Sequence, residues 1–353
     1  MVRTPYVVNV NVRYQVTCFL STRCFVLYTV GIMMHYIFAY LNLEQKRSPL
    51  PIVVSASFLA FVGVLHGLMH IILHEAPLGW IVKFLGVGSL FHYSAVCAIW
   101  MGIIAVGVPI CSIVAHNINN RVVSRKLFHF LAVILFVPVI VFFPLFITLA
   151  FGVGVCALMI TEYCRHATLA FPGLSRHITE YYDLFLDKRD RDRGLVLSHI
   201  YLLLGIALPF WLHEALELLI VFDDKKSSLV ILKHFGWITV GVGDALAAWV
   251  GVYWGSFRWP TSSSSAPRRT LEGSAGCFLG MCFAVVLVMW MEGMSFSTVD
   301  PASSYSIVVT LFLTTLIEAY SFDIDNLVLP MNACGTYLLL LCILTELLKT
   351  ACA

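Results

Sequence analysis

Apolar runs of about 18 to 25 residues follow one another along most of this chain, and each is long enough to cross a hydrocarbon core of about 30 Å as an α-helix. That repetition constrains the fold more than any other feature. A backbone inside lipid must satisfy its own N–H and C=O groups, so a chain of such runs folds as an all-α polytopic bundle. Composition agrees: of 353 residues 60% are hydrophobic and 12% charged, with a mean hydropathy of +0.89, against about 25% charged in a soluble domain. The net charge of +2 is spread over short connections, which gives no footprint for nucleic acid.

The runs predict about ten membrane helices, over roughly residues 16–41, 51–74, 87–115, 128–145, 146–164, 197–213, 229–254, 273–291, 303–320 and 326–348. The stretch from Pro77 to His116 admits two short crossings or a re-entrant piece instead of one helix. The first run, starting near Val16, reads as a retained helix and not a cleaved signal peptide, with no soluble domain expected at either end. No internal repeat is visible. The eleven cysteines lie mostly within apolar runs and form no CxxC pair, so they read as packing residues and not as zinc or disulfide positions.

Basic residues choose the orientation. Arg121, Arg125 and Lys126 mark one connection, Arg165, Arg176, Lys188, Arg189, Arg191 and Arg193 the next long one, and Arg258, Arg268 and Arg269 a third. Two helices separate each from the one before, so all three face the same, cytoplasmic side. The connection from Glu292 to Asp300, which has no Lys or Arg, falls opposite. One further crossing returns Asp323, Asp325 and Asn326 to the basic side. Basic loops and late acidic residues can therefore meet at one mouth.

Four groups of residues could carry chemistry. The first runs from Gly241-Val242-Gly243-Asp244-Ala245 through Gly251, Gly255 and Trp259-Pro260 to Arg268-Arg269-Thr270-Leu271-Glu272-Gly273-Ser274. Small residues there allow close approach of a neighbouring helix or of a phosphate, and packing is the plainer reading of glycines alone. Asp244 adds weight to function, because an ionisable group inside an apolar helix is costly. Arg268, Arg269, Thr270 and Glu272 at a helix start suit phosphate binding, metal binding or simple capping. The second group, Arg125, Lys126 and His129, reads as an interfacial anchor or as a charge partner of Glu162 and Arg165. The third is the mixed-charge stretch from Asp183 to Arg193 followed by His199, a solvated face with a histidine that could be catalytic or a hydrogen-bonded core residue. The fourth is Glu318, Asp323, Asp325 and Asn326, whose carboxylates repel one another unless arginines or a cation such as Mg²⁺ compensate.

Together these motifs resemble the CTP-dependent polyprenol kinases, and the branch of that family that phosphorylates dolichol in particular. The resemblance is carried by Leu186-Asp187-Lys188-Arg189-Asp190 with Ser198-His199-Ile200-Tyr201-Leu202-Leu203-Leu204-Gly205, by Val242-Gly243-Asp244 with Gly251, Gly255 and Arg258-Trp259-Pro260, by Arg269-Thr270-Leu271-Glu272-Gly273, by Arg125-Lys126 with Phe128-His129, and by Asp325-Asn326 with Leu329-Pro330. It covers roughly residues 121–348, and it divides the chain into N-terminal helices of unassigned role over 1–120 and a kinase membrane domain over 121–353. It implies transfer of the γ-phosphoryl group of CTP to the hydroxyl of dolichol, for protein glycosylation, at the cytoplasmic face of the endoplasmic reticulum. By the same resemblance Gly243, Gly251, Gly255, Trp259, Arg268, Arg269, Thr270, Glu272, Gly273, Arg125 and Lys126 would bind the nucleotide. Asp244, Glu272 and Asp325 would hold Mg²⁺ or another divalent cation, and Asp244, Asp325 or His199 would act on the hydroxyl. This chain departs from the family where Thr261 to Pro267 lengthen a short Gly-Thr-Lys-Lys link and Arg268-Arg269 replace the lysines, which keeps the charge and adds a planar fork. The chain also has a shorter N-terminal region than animal members of the family. Rival readings are a related phytol or diacylglycerol kinase or a cytidylyltransferase, and a secondary transporter, which would also bury carboxylates between broken helices.

Overall fold

The computed structural model describes residues 63–64, 67, 70–71, 90–118, 120–166, 172–183, 196–219, 226–260, 269–295, 299–321 and 325–352. Contacts divide the chain into two compact units, Met1–Met101 with Thr148–Ser175, and Gly102–Ile147 with Arg176–Ala353. The described helices are α1 (Leu90–Asn117), α2 (Arg121–Phe142), α3 (Pro144–His166), α4 (Pro172–Asp183), α5 (Ser198–Leu219), α6 (Lys226–Leu229), α7 (Ala245–Tyr253), α8 (Leu271–Met291), α9 (Pro301–Tyr320) and α10 (Asp325–Cys352). Among the described residues seven helices are long and apolar enough to cross a membrane: α1, α2, α3, α5, α8, α9 and α10. The protein is thus an all-α, multi-pass membrane protein. The seven match the expected runs in place and type. The helices expected over 16–41 and 51–74 fall wholly or almost wholly outside the described residues, so the total of ten is not reached here.

The run expected as one helix over 229–254 is the exception. It is built from α6, a 3₁₀ turn (Val230–His234), a π-helix (Trp237–Asp244) and α7. The widened π turn is a known mark of functional sites, since it displaces side chains from ordinary helical register. Its glycines explain how it fits. A Cβ on Gly236 would overlap the backbone of Gly205 and Ile206 in α5, and one on Gly241 would strike Val133 of α2. Gly243 faces Met281 and Cys277 of α8. The segment is therefore held on three sides, and Trp237, Ile238, Val240 and Asp244 are buried.

Helix starts are capped where the sequence supplies the acceptor. Asn120 Oδ1 accepts from Val122 N at 3.0 Å ahead of α2, Thr270 Oγ1 from Gly273 N at 3.1 Å ahead of α8, and Asp300 from Ser303 N at 3.0 Å ahead of α9. Each satisfies a donor that the first turn leaves orphaned, which contributes about 1 kcal/mol. In the second unit the π-helix packs against α2, α8 and α10, and α5 packs against α10. Trp237, Phe210, Phe235, Met281, Leu311 and Tyr337 fill the interior. Leu279, Phe283, Trp290, Phe312, Leu339 and Ile343 point outward, as faces in contact with lipid tails require.

Candidate active site

Asp244, at the end of the π-helix, is fully buried in the second unit. Its Oδ2 accepts a short hydrogen bond from Lys126 Nζ, projected from the second turn of α2. Lys126 is itself buried, with only 8% of its side chain exposed. Two ions drawn out of water at this depth persist only when paired, and removing one partner of such a pair costs about 3–5 kcal/mol. Asp244 Oδ1 has no hydrogen-bond partner among the described residues. An unsatisfied carboxylate oxygen at the centre of a bundle is expensive and invites a proton donor or a cation.

His129 lies one turn beyond Arg125 on the same face of α2, and its Nε2 is 3.6 Å from Asp244 Oδ2. Asn326, second residue of α10, donates from Nδ2 to the Ser198 carbonyl at 3.2 Å. Its Oδ1 faces His129 Nε2 at 3.1 Å. Nδ1 of the same ring lies 3.2 Å from the Arg125 carbonyl. Through Asn326 the starts of α5 and α10 are tied to the third turn of α2.

Arg269 joins from the residue before the cap of α8. One terminal nitrogen pairs with Glu318 near the end of α9 in a short contact, and the other reaches Asp325 Oδ2 at 3.0 Å. Burial works against the guanidinium charge, yet the carboxylates of Glu318, Asp244 and Asp325 prevail and hold its pKa above the ordinary arginine value. The planar fork lets one side chain hold two carboxylates, which an ammonium cannot imitate. The late acidic residues do meet a basic loop, as their spacing suggested, and an arginine supplies the compensation. Within the cluster two cations, Lys126 and Arg269, face three carboxyl groups, Asp244, Glu318 and Asp325.

The starts of α5, α8 and α10 and the second and third turns of α2 contribute to this centre. The N-terminal ends of α5, α8 and α10 carry partial positive charge and suit an anion such as a phosphate.

The other predicted site residues take a supporting place. A Cβ on Gly251 would meet Thr270 Oγ1 at 3.1 Å, and one on Gly273 would meet the Ala247 carbonyl at 2.8 Å, so these glycines press α7 against the start of α8. Gly255 is closed in by Gly251 and Thr270 in the same way. In this structure the small-residue stripe, Gly243 included, is a packing face. Trp259 donates from Nε1 to Ser274 Oγ at 2.9 Å, and its ring lies 5.4 Å from that of Tyr320. Glu272 accepts from the backbone N–H groups of Ser256 and Phe257 at 3.0 and 3.1 Å. It ties down the loop after α7, and none of its bonds among the described residues reaches the Asp244 cluster. Arg165 pairs with Glu162 in its own helix at 2.7 Å, and the cation bonded to Asp244 is Lys126. Arg125 and His199 border a small pocket beside His129. Arg268, Asp323 and the stretch from Asp187 to Arg193 lie outside the described residues.

Sequence reasoning placed Glu318, His129 and Asn326 in its charged groups but named none of them among the site residues. Glu318 carried a signal, as an acidic residue inside an apolar run. The bonds of His129 and Asn326 join residues far apart in the chain, and no local pattern announces them.

The chain is 30% identical to mouse dolichol kinase over 292 residues, which are 79% of this chain and 50% of the mouse protein. It is a relative of the dolichol kinases. Dolichol kinase EVAN of Arabidopsis thaliana is 29% identical over 73% of this chain and 42% of its own length, and dolichol kinase of Saccharomyces cerevisiae is 28% identical over 72% and 44%. The chain thus spans about half the length of the curated relatives it matches. No protein-family profile matches it, and no solved structure does.

Proposed function

We propose that this chain is a dolichol kinase that moves the γ-phosphoryl group of CTP to the terminal hydroxyl of dolichol, at the cytoplasmic face of the endoplasmic reticulum, to give dolichyl phosphate for protein glycosylation. The observation that carries the reading is the buried Asp244–Lys126 pair with a carboxylate oxygen left unpartnered, set where three helix starts and Arg269 converge. Phosphoryl transfer asks a protein for positioning and charge compensation more than for covalent chemistry. Lys126, Arg269, Arg125 and the helix starts supply positive potential for a triphosphate. The similarity to proteins named dolichol kinase supplies the choice of acceptor.

In the reaction the alcohol oxygen bonds to the γ-phosphorus while the bridge between the β- and γ-phosphates breaks, so CDP leaves with that bridging oxygen. The hydroxyl proton passes to His199, the candidate base that is not also a ligand for the metal, and a loose transition state makes little demand on its strength. The donor set fits Mg²⁺: hard carboxylate oxygens, one of them unsatisfied. Asp244 and Asp325 would hold it. When bound, such an ion neutralises phosphate oxygens as charge develops on the leaving group. The polyprenyl tail needs no polar pocket and stays in the bilayer.

The test is acceptor and donor competition with purified protein in detergent. Dolichol, phytol and diacylglycerol are offered together with labelled CTP, and ATP is run as alternative donor. Label confined to dolichol and drawn from CTP supports the proposal; preferential labelling of phytol or diacylglycerol would assign the chain to a related lipid kinase.

A further inference from the structure

In the last two turns of α5, His213, Glu214 and Glu217 bring one ring nitrogen and one oxygen of each carboxylate within 4.8 Å of one another. No other group of three potential metal ligands among the described residues draws so close. At a rise of 1.5 Å per residue, His213 stands about 22 Å along α5 from Ser198 and the Asp244 centre. The imidazole is buried, with 7% of its side chain exposed. Its Nδ1 faces Glu214 Oε1 at 3.5 Å and makes no hydrogen bond among the described residues. A polar atom at that depth is costly unless something binds it. Glu214 and Glu217 lie one turn apart on one helix face, where like charges repel. They also lie at the C-terminal end of the helix, whose partial negative charge favours cations, and the last turn of α5 holds no basic residue. We infer that His213, Glu214 and Glu217 bind a divalent transition-metal ion of the Zn²⁺ type.

An imidazole beside two carboxylates is a mixed nitrogen and oxygen set, which suits Zn²⁺, whereas Mg²⁺ and Ca²⁺ prefer oxygen alone. Around a tetrahedral Zn²⁺ with bonds of about 2.0–2.1 Å, neighbouring ligand atoms stand about 3.3 Å apart. The separation of 3.5 Å between Nδ1 and Oε1 is already close to that. Glu217 is exposed, so the fourth position opens toward solvent and takes a water. A proton on Nδ1 would answer one carboxylate, while a metal ion answers both. The ion would then fasten the last two turns of α5, which packs against the 3₁₀ turn Val230–His234. None of its three ligands is bonded to Asp244, Lys126 or Arg269, so the site stands apart from the kinase reading.

Titration with Co²⁺ tests this, because Co²⁺ takes Zn²⁺ positions and absorbs visible light strongly in four-coordinate sites and faintly in six-coordinate ones. The full chain is purified in detergent and freed of any affinity tag. The parent is expected to develop visible bands that saturate near one equivalent of Co²⁺ and vanish on addition of Zn²⁺. The same bands are expected in Asp244→Asn. His213→Phe keeps a ring and removes the ligand, and should weaken binding about tenfold or more. Glu217→Gln changes an exposed residue and should do the same, so it carries the test if His213→Phe does not fold. Zn²⁺ should raise the melting temperature of the parent and not that of either variant. A parent without bands, or bands unchanged in a folded variant, would overturn the inference. Bands lost in Asp244→Asn and kept in Glu217→Gln would place the ion at the Asp244 centre and overturn it as well.

Discussion

At the scale of single residues the structure separates groups that hold charge from groups that hold shape. Asp244→Asn keeps the outline of the side chain and removes the charge opposite Lys126, so turnover should fall about 10³-fold or more. The uncompensated ammonium should also cost about 3 kcal/mol of stability. The double variant Lys126→Met with Asp244→Asn is expected to regain most of the melting temperature and none of the activity. Recovery of activity in the double variant would remove Asp244 from the reaction. Arg269→Lys preserves charge and loses the fork, so only one of Glu318 and Asp325 can be held at a time. Transfer should drop about 10- to 100-fold, with a destabilisation of about 1–3 kcal/mol read by thermal melting in detergent. Asp244, Lys126, Arg269 and Asp325 were legible in the sequence because ionisable residues stand out in apolar surroundings. The role of Asn326 was not, since it consists of two bonds to residues in other helices.

At the scale of elements, the broken segment between α5 and α8 decides the site. Its extent was legible as an apolar run, but its 3₁₀ and π turns were not. Hydrophobic periodicity reports which face is buried and is silent about whether one extra residue is wound into a turn. What selects the widened turn is contact with α2, α5 and α8, and only the glycines hinted at such closeness. Gly205 is the strictest of these contacts: a Cβ there would run into the backbone carbonyl of Asn326. Gly205→Ala should therefore push α10 away from α5 and cost about 1–3 kcal/mol by overpacking. Because Asn326 orients His129, transfer should fall alongside the melting temperature; a variant that melts like the parent would show that the α5–α10 contact is less tight than described. At the far end of α8, Glu292 resists burial through a hydrogen bond with His234 at 2.9 Å and an ion pair with Lys233 at 2.9 Å. Burial pushes its pKa up, but these partners outweigh it and hold the group down at about 2. A depressed folded pKa stabilises above the unfolded value of about 4.3 and loses that stabilisation as pH falls toward about 2. After screening by solvent the effect should be of the order of 1 kcal/mol. Melting curves from pH 7 to pH 3 should show the parent losing stability below about pH 4.5 more steeply than Glu292→Gln; parallel curves would contradict the pairing.

At the scale of the whole molecule, polarity is sorted by end. Lys126, Arg269, Glu318 and Asp325 collect around Asp244, while Glu292, Lys233 and His234 form a separate group at the other end of α8. Charge spacing alone placed the first set on one face of the membrane, because each basic connection is two crossings from the next. It could not say which cation meets which carboxylate, since that depends on side chains reaching between helices. The family resemblance anticipated the similarity to dolichol kinases; the glycines it assigned to the nucleotide also make close contacts between helices here. A secondary transporter would place its carboxylates for access from both sides; here Asp244, Glu318 and Asp325 are held by lysine and arginine. The most direct measurement is single-turnover transfer of label from γ-labelled CTP to dolichol by the purified chain with Mg²⁺. A phosphorylated lipid formed in one step, together with CDP, is what the account predicts. No labelled lipid from protein shown to be folded and to bind CTP would contradict it.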